Sequence, residues 1–167
     1  METTLTIRKA SSADLPRVLE IYAAARQFMC ETGNPTQWAG GYPQPTIVEE
    51  DVAKGQLYVM TEEDRICGCF MLCPGPDVTY KQIFDGQWGY GTPYGVIHRV
   101  AGDGSRRGIV ASCVAFARQH FRHLRIDTHR DNLPMQRSLT AAGFTHRGTI
   151  FLEDGDPRLA YDWADGM

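Results

Sequence analysis

The sequence predicts a single α/β domain spanning residues 1–167, and three observations lead there. Alternating apolar runs and runs of helical period succeed one another along the whole chain, with Gly/Pro/Asn/Asp clusters between them. Residues 94–121 pass from a β-branched run through a Gly/Arg-rich loop straight into an amphipathic helix. A hydrophobic fraction of 43% in a chain of this length is enough for one substantial core.

Taken in order, Leu5-Thr6-Ile7-Arg8 alternates and makes a first strand. Ser11, Ser12 and Asp14 offer N-cap oxygens, and Pro16 fits only the first turn of a helix, so a helix begins here. Leu15, Leu19, Tyr22 and Arg26, with Val18, Ala25 and Met29 alongside, give it an amphipathic stripe of about four turns. Residues 31–46 are rich in Gly, Pro and polar residues and hold Trp38 and Tyr42. A second helix, Ile47 to Lys54, is acidic at its start, which the helix dipole favours, and Gly55 ends it. Gln56–Thr61 and Arg65–Cys73 form a hairpin about the Glu62-Glu63-Asp64 turn.

Residues 74–93 are a long connection, carrying Tyr80, Phe84, Trp88 and Tyr90 among glycines and prolines. Long ordered loops are functional or mobile segments. Two readings stand: a lid of aromatics over the core, or a subunit contact, and alternatively a wall of a substrate pocket. A short strand within Val78–Phe84 or Gln87–Tyr90 also fits.

Val96, Ile97 and Val100 then mark a strand, broken by Gly102-Asp103-Gly104-Ser105-Arg106-Arg107-Gly108. After Gly108 the period is helical: Ile109, Cys113, Phe116, Ala117 and His120 share one face, with Val110, Val114 and Phe121 beside them. A strand that feeds a Gly/Arg loop into a helix N-terminus is a phosphate cradle, because unpaired first-turn N–H groups and the positive helix end attract phosphate oxygens. It is neither the dinucleotide G-x-G-x-x-G nor a P-loop. Leu124–Thr128 alternates as another strand. Leu133-Pro134 opens a helix through Met135, Leu139 and Ala142 that Gly143 caps. Thr145–Leu152 and Arg158–Trp163 close the chain as a hairpin about Asp154-Gly155.

The loop resembles the acyl-CoA loop of the GCN5-related N-acetyltransferases (GNAT), V-x-P-x-x-(Q/R)-G-x-G-x-(G/A): Val100 and Gly108 match, while Gly102, Ser105, Arg106 and Val110 stand where Pro, Gln/Arg, Gly and Gly/Ala are usual. The segment DNLPMQRSLTAAGF resembles a second piece, N-x-x-(A/M)-x-x-(L/F)-Y-x-x-x-G-F, through Asn132, Met135, Gly143 and Phe144. The resemblance, with the element order β-α-α-β-β-loop-β-α-β-α-β-β, covers essentially the whole chain. It implies an α/β (α+β) fold: a mixed, mostly antiparallel sheet of about six to seven strands flanked by about four helices and splayed at the central strand.

The resemblance further implies acetyl-CoA as cofactor, its pantetheine lying in the splay and its pyrophosphate on the loop. Val100, Gly102, Gly104, Ser105, Arg106, Arg107, Gly108, Ile109, Val110 and Asn132 are the residues expected to contact it. The implied reaction is acetyl transfer to an amine, which must lose a proton before it attacks. His98, read as sharing one side of its strand with Val100, is the candidate base, and Tyr94 on the same side is a candidate water-relay partner. Trp38, Tyr42, Tyr80, Trp88 and Tyr90 are candidates for the acceptor pocket. Relatives often carry a tyrosine where Leu139 stands, as the acid toward the leaving thiolate. Two further readings are a non-catalytic acyl-CoA sensor or regulatory domain and an α/β protein for an unrelated phosphate ligand.

Composition narrows the partners. A net charge of −3 gives no general case for nucleic acid or an anionic membrane, and no apolar run approaches the ~20 residues that span a bilayer. The start, METTLTIRKASSADLP, lacks the apolar core of a secretion signal, so the expected compartment is the cytoplasm. Five cysteines, an odd count, read as reduced and structural, and Cys67-x-Cys69 lacks partners at zinc spacing, so no metal is expected. The expected acceptor is a small-molecule or peptide amine, with a lean toward a cationic or aromatic small amine; a homodimer fits the aromatic loop.

Overall fold

The computed structural model describes residues 5–166. Its strands are β1 (Thr6–Lys9), β2 (Leu57–Glu62), β3 (Arg65–Pro74), β4 (Gly95–Gly102), β5 (His123–Thr128), β6 (Thr145–Phe151) and β7 (Pro157–Ala164). Its helices are α1 (Leu15–Glu31), α2 (Pro45–Ala53), α3 (Ile109–Arg118) and α4 (Leu133–Ala141). The strands form one seven-stranded sheet in the order β1-β2-β3-β4-β5-β7-β6. Every pairing is antiparallel except that of β4 with β5. The expected architecture is therefore present, with each strand and helix at its expected place in the chain.

Two places differ from the sequence reading for physical reasons. Helix α2 starts at Pro45, because proline at the first helical position gives up an N–H that would have no partner anyway. With that start no carboxylate falls in its first turn, so the dipole argument does not apply. Asp51 instead turns inward, buried, to pair with Arg99 at 2.8 Å. In the long loop, the expected short strand is a 3-10 turn, Val78–Tyr80, and a single antiparallel bridge from Phe84 to Thr149.

The sheet is covered on both faces. On one face, α3 and α4 pack Cys113, Val114, Ala117 and Leu139 against Phe70, Leu72, Ile97, Leu124 and Ile126. On the other, α1 and α2 bury Val18, Ile21, Tyr22 and Val48 against Leu57, Val59 and Cys69. A third cluster, Tyr80 with Val96, Ile150 and Ala160, is roofed by the long loop through Trp88 and Tyr94. The loop thus substitutes for a helix over part of the sheet, in keeping with the lid reading of its aromatics.

Two irregularities of β4 create the site. The parallel ladder runs through Gly95–Leu124 and Val96–Arg125 and then ends, so β4 and β5 diverge beyond Val96. On its other edge β4 carries a bulge: two residues lie between His98 and Ala101, whereas one lies between their partners Met71 and Cys69. Arg99 takes the extra place with φ of 53°, left-handed and uncommon for a residue with a side chain. The bulge overturns one expectation. The alternation does not survive from Val96 to Val100: His98 pairs across from Met71 of the α1 side, whereas Val100 packs into the cluster under α3.

Candidate active site

Two cavities meet at the splay. The first, about 450 Å³, is bounded by Thr36, Trp38 and Tyr42 of the α1–α2 loop, Asp77 and Thr79 of the long loop, Ile97–Val100 of β4, Ile126 and Asp127 of β5, and Leu152, Asp154, Asp156 and Arg158 of the last hairpin. The second, about 320 Å³, runs between α1 and α4 and reaches Gly102, Gly104, Arg106 and Val110 of the glycine-rich loop and its helix. Met29, Val100, Asn132 and Met135 border both, so the two cavities adjoin, one at the Gly/Arg loop and the other at His98.

The loop end of the second cavity is suited to an anion. Gly108, at φ +82°, is the N-cap of α3, and Gly104 is left-handed at +84°; a Cβ at either place would meet no neighbour, so the surface above them is clear. The first intrahelical bond is Ser112 N–H to Gly108 O at 2.9 Å, so the N–H groups of Ile109, Val110 and Ala111 precede the ladder. The loop is braced from within. The Asp103 carboxylate accepts from Ser105 N–H (2.9 Å), Arg17 (2.6 Å) and Arg65 (2.8 Å). Burial works against its charge, but the bonds from Ser105 and Arg65 outweigh it and hold Asp103 below the usual carboxylate range. Ser105 Oγ accepts from Arg65 at 2.7 Å, and Arg106 pairs with Glu62 at 2.6 Å. Arg107 is exposed. Ile109 packs against the core cluster under α3, its Cγ1 2.9 Å from where a Cβ on Gly102 would stand.

The first cavity is built around His98. Its Nε2 lies 2.9 Å from Asp77 Oδ2 and its Nδ1 4.0 Å from Asp127 Oδ2. Asp77 opens the 3-10 turn: its Oδ1 accepts from Thr79 N–H at 2.9 Å and from Thr79 Oγ at 2.6 Å. Burial opposes ionisation of Asp77, but the bonds from His98 and Thr79 prevail and lower its pKa to about 2. Tyr80, fully buried, donates its hydroxyl to Asp127 Oδ2 at 2.6 Å; burial first, then the neighbouring Asp127 charge, raises its pKa well above the phenol range. Arg99, beside His98, gives two bonds to Asp51 (2.8 and 2.9 Å) and one to the Tyr42 hydroxyl (2.9 Å). Although burial disfavours its charge, Asp51 and Tyr42 keep the guanidinium protonated.

The aromatic candidates divide. Trp38 and Tyr42 line the His98 cavity and meet edge to face, with centroids 6.1 Å apart. Tyr80 stands behind Asp127, outside the lining. Trp88 and Tyr90 lie elsewhere: Trp88 donates its indole N–H to Tyr80 O at 2.9 Å and stacks on Arg125, and Tyr90 meets the buried His123 edge to face. Tyr94 stands one step back from His98. Its hydroxyl accepts from Asp77 N–H at 2.9 Å while its ring covers Arg125. Asn132 borders both cavities, but its side chain accepts from Met135 N–H at 3.2 Å as the cap of α4 and donates to Gln37 at 2.9 Å. Leu139 is fully buried under α4, and Ser138 takes the position facing the second cavity.

Sequence reasoning missed Asp77, Asp127, Arg99 and Asp51. The signals for the first two were present: Asp-x-Thr after a Gly-Pro pair is an Asx-turn pattern, and strand alternation puts Asp127 on the face of Arg125, which carries the loop aromatics. The Arg99–Asp51 pair left none, since a bulge hides its residue inside an ordinary-looking strand. Among the described residues no His/Cys/Asp/Glu group is arranged to hold a metal ion, and no helix is long and apolar enough to cross a membrane.

No protein-family model and no curated protein matches the sequence. Solved structures do match its fold. A GNAT-family acetyltransferase from Streptococcus agalactiae superimposes with a TM-score of 0.88 at 24% identity, over 99% of this chain and 100% of that one. A ribosomal-protein-alanine N-acetyltransferase from Brucella melitensis gives 0.60 at 20% identity over 95% and 99%. An aminoglycoside acetyltransferase in complex with coenzyme A and kanamycin gives 0.64 at 20% identity over 96% and 95%. These superpositions cover nearly the whole chain, and the fold of this chain is that of the GNAT-family acetyltransferases.

Proposed function

We propose that this protein is an acetyl-CoA-dependent N-acyltransferase acting on a small cationic amine. The observation that carries the reading is the pair of adjoining cavities, one at the glycine-rich loop ahead of α3 and one at His98, on either side of the unpaired edge of β4. The residues fit the cofactor. Gly104 and Gly108 leave room for a pyrophosphate over the N–H groups of Ile109, Val110 and Ala111, with Arg106 beside them. The β4 edge past Val96 has no strand partner and matches an extended amide chain. Bound there, acetyl-CoA supplies the acetyl thioester. The His98 cavity would hold the acceptor. Asp77 and Asp127 give it a negative interior, while Arg99 and Arg158 are neutralised by Asp51 and Asp156. Trp38, Tyr42 and Leu152 give it apolar walls. His98 takes the proton that an ammonium must lose before its nitrogen is nucleophilic.

Two measurements test the proposal together: calorimetric titration with CoA, and release of free thiol from acetyl-CoA across a panel of amines. Saturable CoA binding with turnover of at least one cationic amine is expected. CoA binding with no turnover on any amine would favour a non-catalytic acyl-CoA sensor, the reading to which the buried Leu139 lends itself. Absence of CoA binding would remove the cofactor assignment altogether.

A further inference from the structure

We infer that Asp77 fixes His98 as the tautomer protonated on Nε2, and that the bare Nδ1 of His98 and the carboxylate of Asp127 form a two-point seat for a protonated primary amine. The inference rests on the N-acyltransferase reading and goes beyond it by assigning Asp127 as the residue that selects the acceptor's nitrogen and Asp77 as a positioning residue. The tautomer follows from the bonding. Asp77 Oδ1 is committed to Thr79 N–H and Oγ–H, and Oδ2 lies 2.9 Å from His98 Nε2. An ionised carboxylate only accepts, so Nε2 must be the donor. In a neutral imidazole the other nitrogen then holds a lone pair. That nitrogen is the one facing Asp127, in the wall of the cavity.

The spacing defines the guest. At 4.0 Å, Nδ1 and Asp127 Oδ2 are too far apart to bond each other. A nitrogen about 2.9 Å from each would see them at roughly 90°, close enough to a tetrahedral angle for two of its N–H groups to serve both. An ammonium with three N–H groups fills the seat and retains one; a tertiary ammonium, with one, cannot. Asp127 Oδ2 is already held by the Tyr80 hydroxyl at 2.6 Å, so its position is set before the guest arrives. In the reaction the N–H bond aimed at Nδ1 breaks and its proton forms imidazolium, held between two carboxylates. The electron pair left on the amine nitrogen forms the bond to the acetyl carbon as the C–S bond breaks. The pair released goes to sulfur, which takes the imidazolium proton, and the second amine proton leaves to water.

The test uses the full-length protein, with 2-phenylethylamine and its N,N-dimethyl derivative as probes, and does not depend on turnover. Nitrogen-15 spectra of the His98 ring in its neutral form should show a protonated Nε2 and a bare Nδ1. Titration with 2-phenylethylamine should move the Nδ1 signal; the dimethyl derivative should bind at least tenfold more weakly. Asp127→Asn should weaken the primary amine at least tenfold while leaving CoA affinity within twofold. Asp77→Asn makes the sharper case. The oxygen of the introduced amide stays on Thr79, so its NH₂ must face Nε2, and the neutral tautomer should switch to Nδ1–H with loss of amine binding. A neutral ring protonated on Nδ1 in the unsubstituted protein overturns the inference, as does undiminished primary-amine binding in Asp127→Asn. Failure to bind CoA would leave these ring signals unchanged and would count against the function alone.

Discussion

His98 and Trp88 show how much a neighbour decides at the scale of one residue. Both were singled out as site residues, yet His98 lies between two carboxylates in a cavity wall, whereas Trp88 is spent on its own loop. Replacing His98 by Gln keeps a hydrogen-bonding side chain that cannot carry the proton. Turnover should fall about a hundredfold, with CoA affinity unchanged in a calorimetric titration. Trp88→Ala should act on stability instead, lowering the unfolding free energy by about 3 kcal/mol, because it removes a packed ring from Tyr80 and Arg125. The acceptor's Michaelis constant should stay within twofold. Asp77 adds a pH signature. Its pKa is about 2 in the folded protein against 3.8 ordinarily, so its stabilisation is complete above the ordinary value and is lost as the pH falls toward the folded one. The difference in unfolding free energy between the unsubstituted protein and Asp77→Asn should be on the order of 2 kcal/mol at neutral pH and should shrink through that window.

Among the elements, the glycine-rich loop combines a conformational demand with a steric one. Gly108 caps α3 in a left-handed conformation that a side chain resists, and the space above it is open. Gly108→Leu should cost about 1–2 kcal/mol of stability from the backbone alone. It should also abolish CoA binding by calorimetry while far-ultraviolet circular dichroism stays native. The elements themselves were legible because each is a periodic pattern with its own punctuation: Pro16 and Pro45 at helix starts, Gly143 after α4 at φ +95°, glycines about the cofactor loop. What could not be read was the phase of a pattern after an irregularity. Val96 and His98 do alternate as the sequence suggests, but Arg99 is an extra residue, and the bulge puts Val100 on the opposite face from His98. The 74–93 loop was legible as aromatic and long. Which aromatics face the site depends on partners far along the chain, such as Asp127 for Tyr80 and Arg125 for Trp88.

For the molecule as a whole, buried histidines tie stability to pH. His123 is buried with its Nδ1 beside the Thr92 carbonyl at 3.0 Å, and His129 is buried with Nε2 on Thr36 Oγ at 3.0 Å. Burial lowers the pKa of both below the usual imidazole value. The unfolded chain therefore takes up these protons first, so the stabilisation is full above the ordinary value of 6.5 and is lost as the pH falls below it. Urea midpoints should fall between about pH 7.5 and pH 5.5, and His123→Gln with His129→Gln should flatten the decline. The divergence of β4 from β5 has a consequence of another kind. With the ladder ended at Val96, two part-sheets, β1–β4 and β5-β7-β6, share a short seam and the side chains packed across it. Amide protons along β4 should therefore report the seam. Exchange where the β4–β5 ladder holds, at Gly95–Val96 and Leu124–Arg125, should be limited by opening of the two leaves against each other, at a lower free energy than global unfolding. A ligand bridging the gap closes that route by mass action, contributing about 2.7 kcal/mol at a hundredfold excess over its dissociation constant. The molecule would then unfold as one body where, without the ligand, it opens as two.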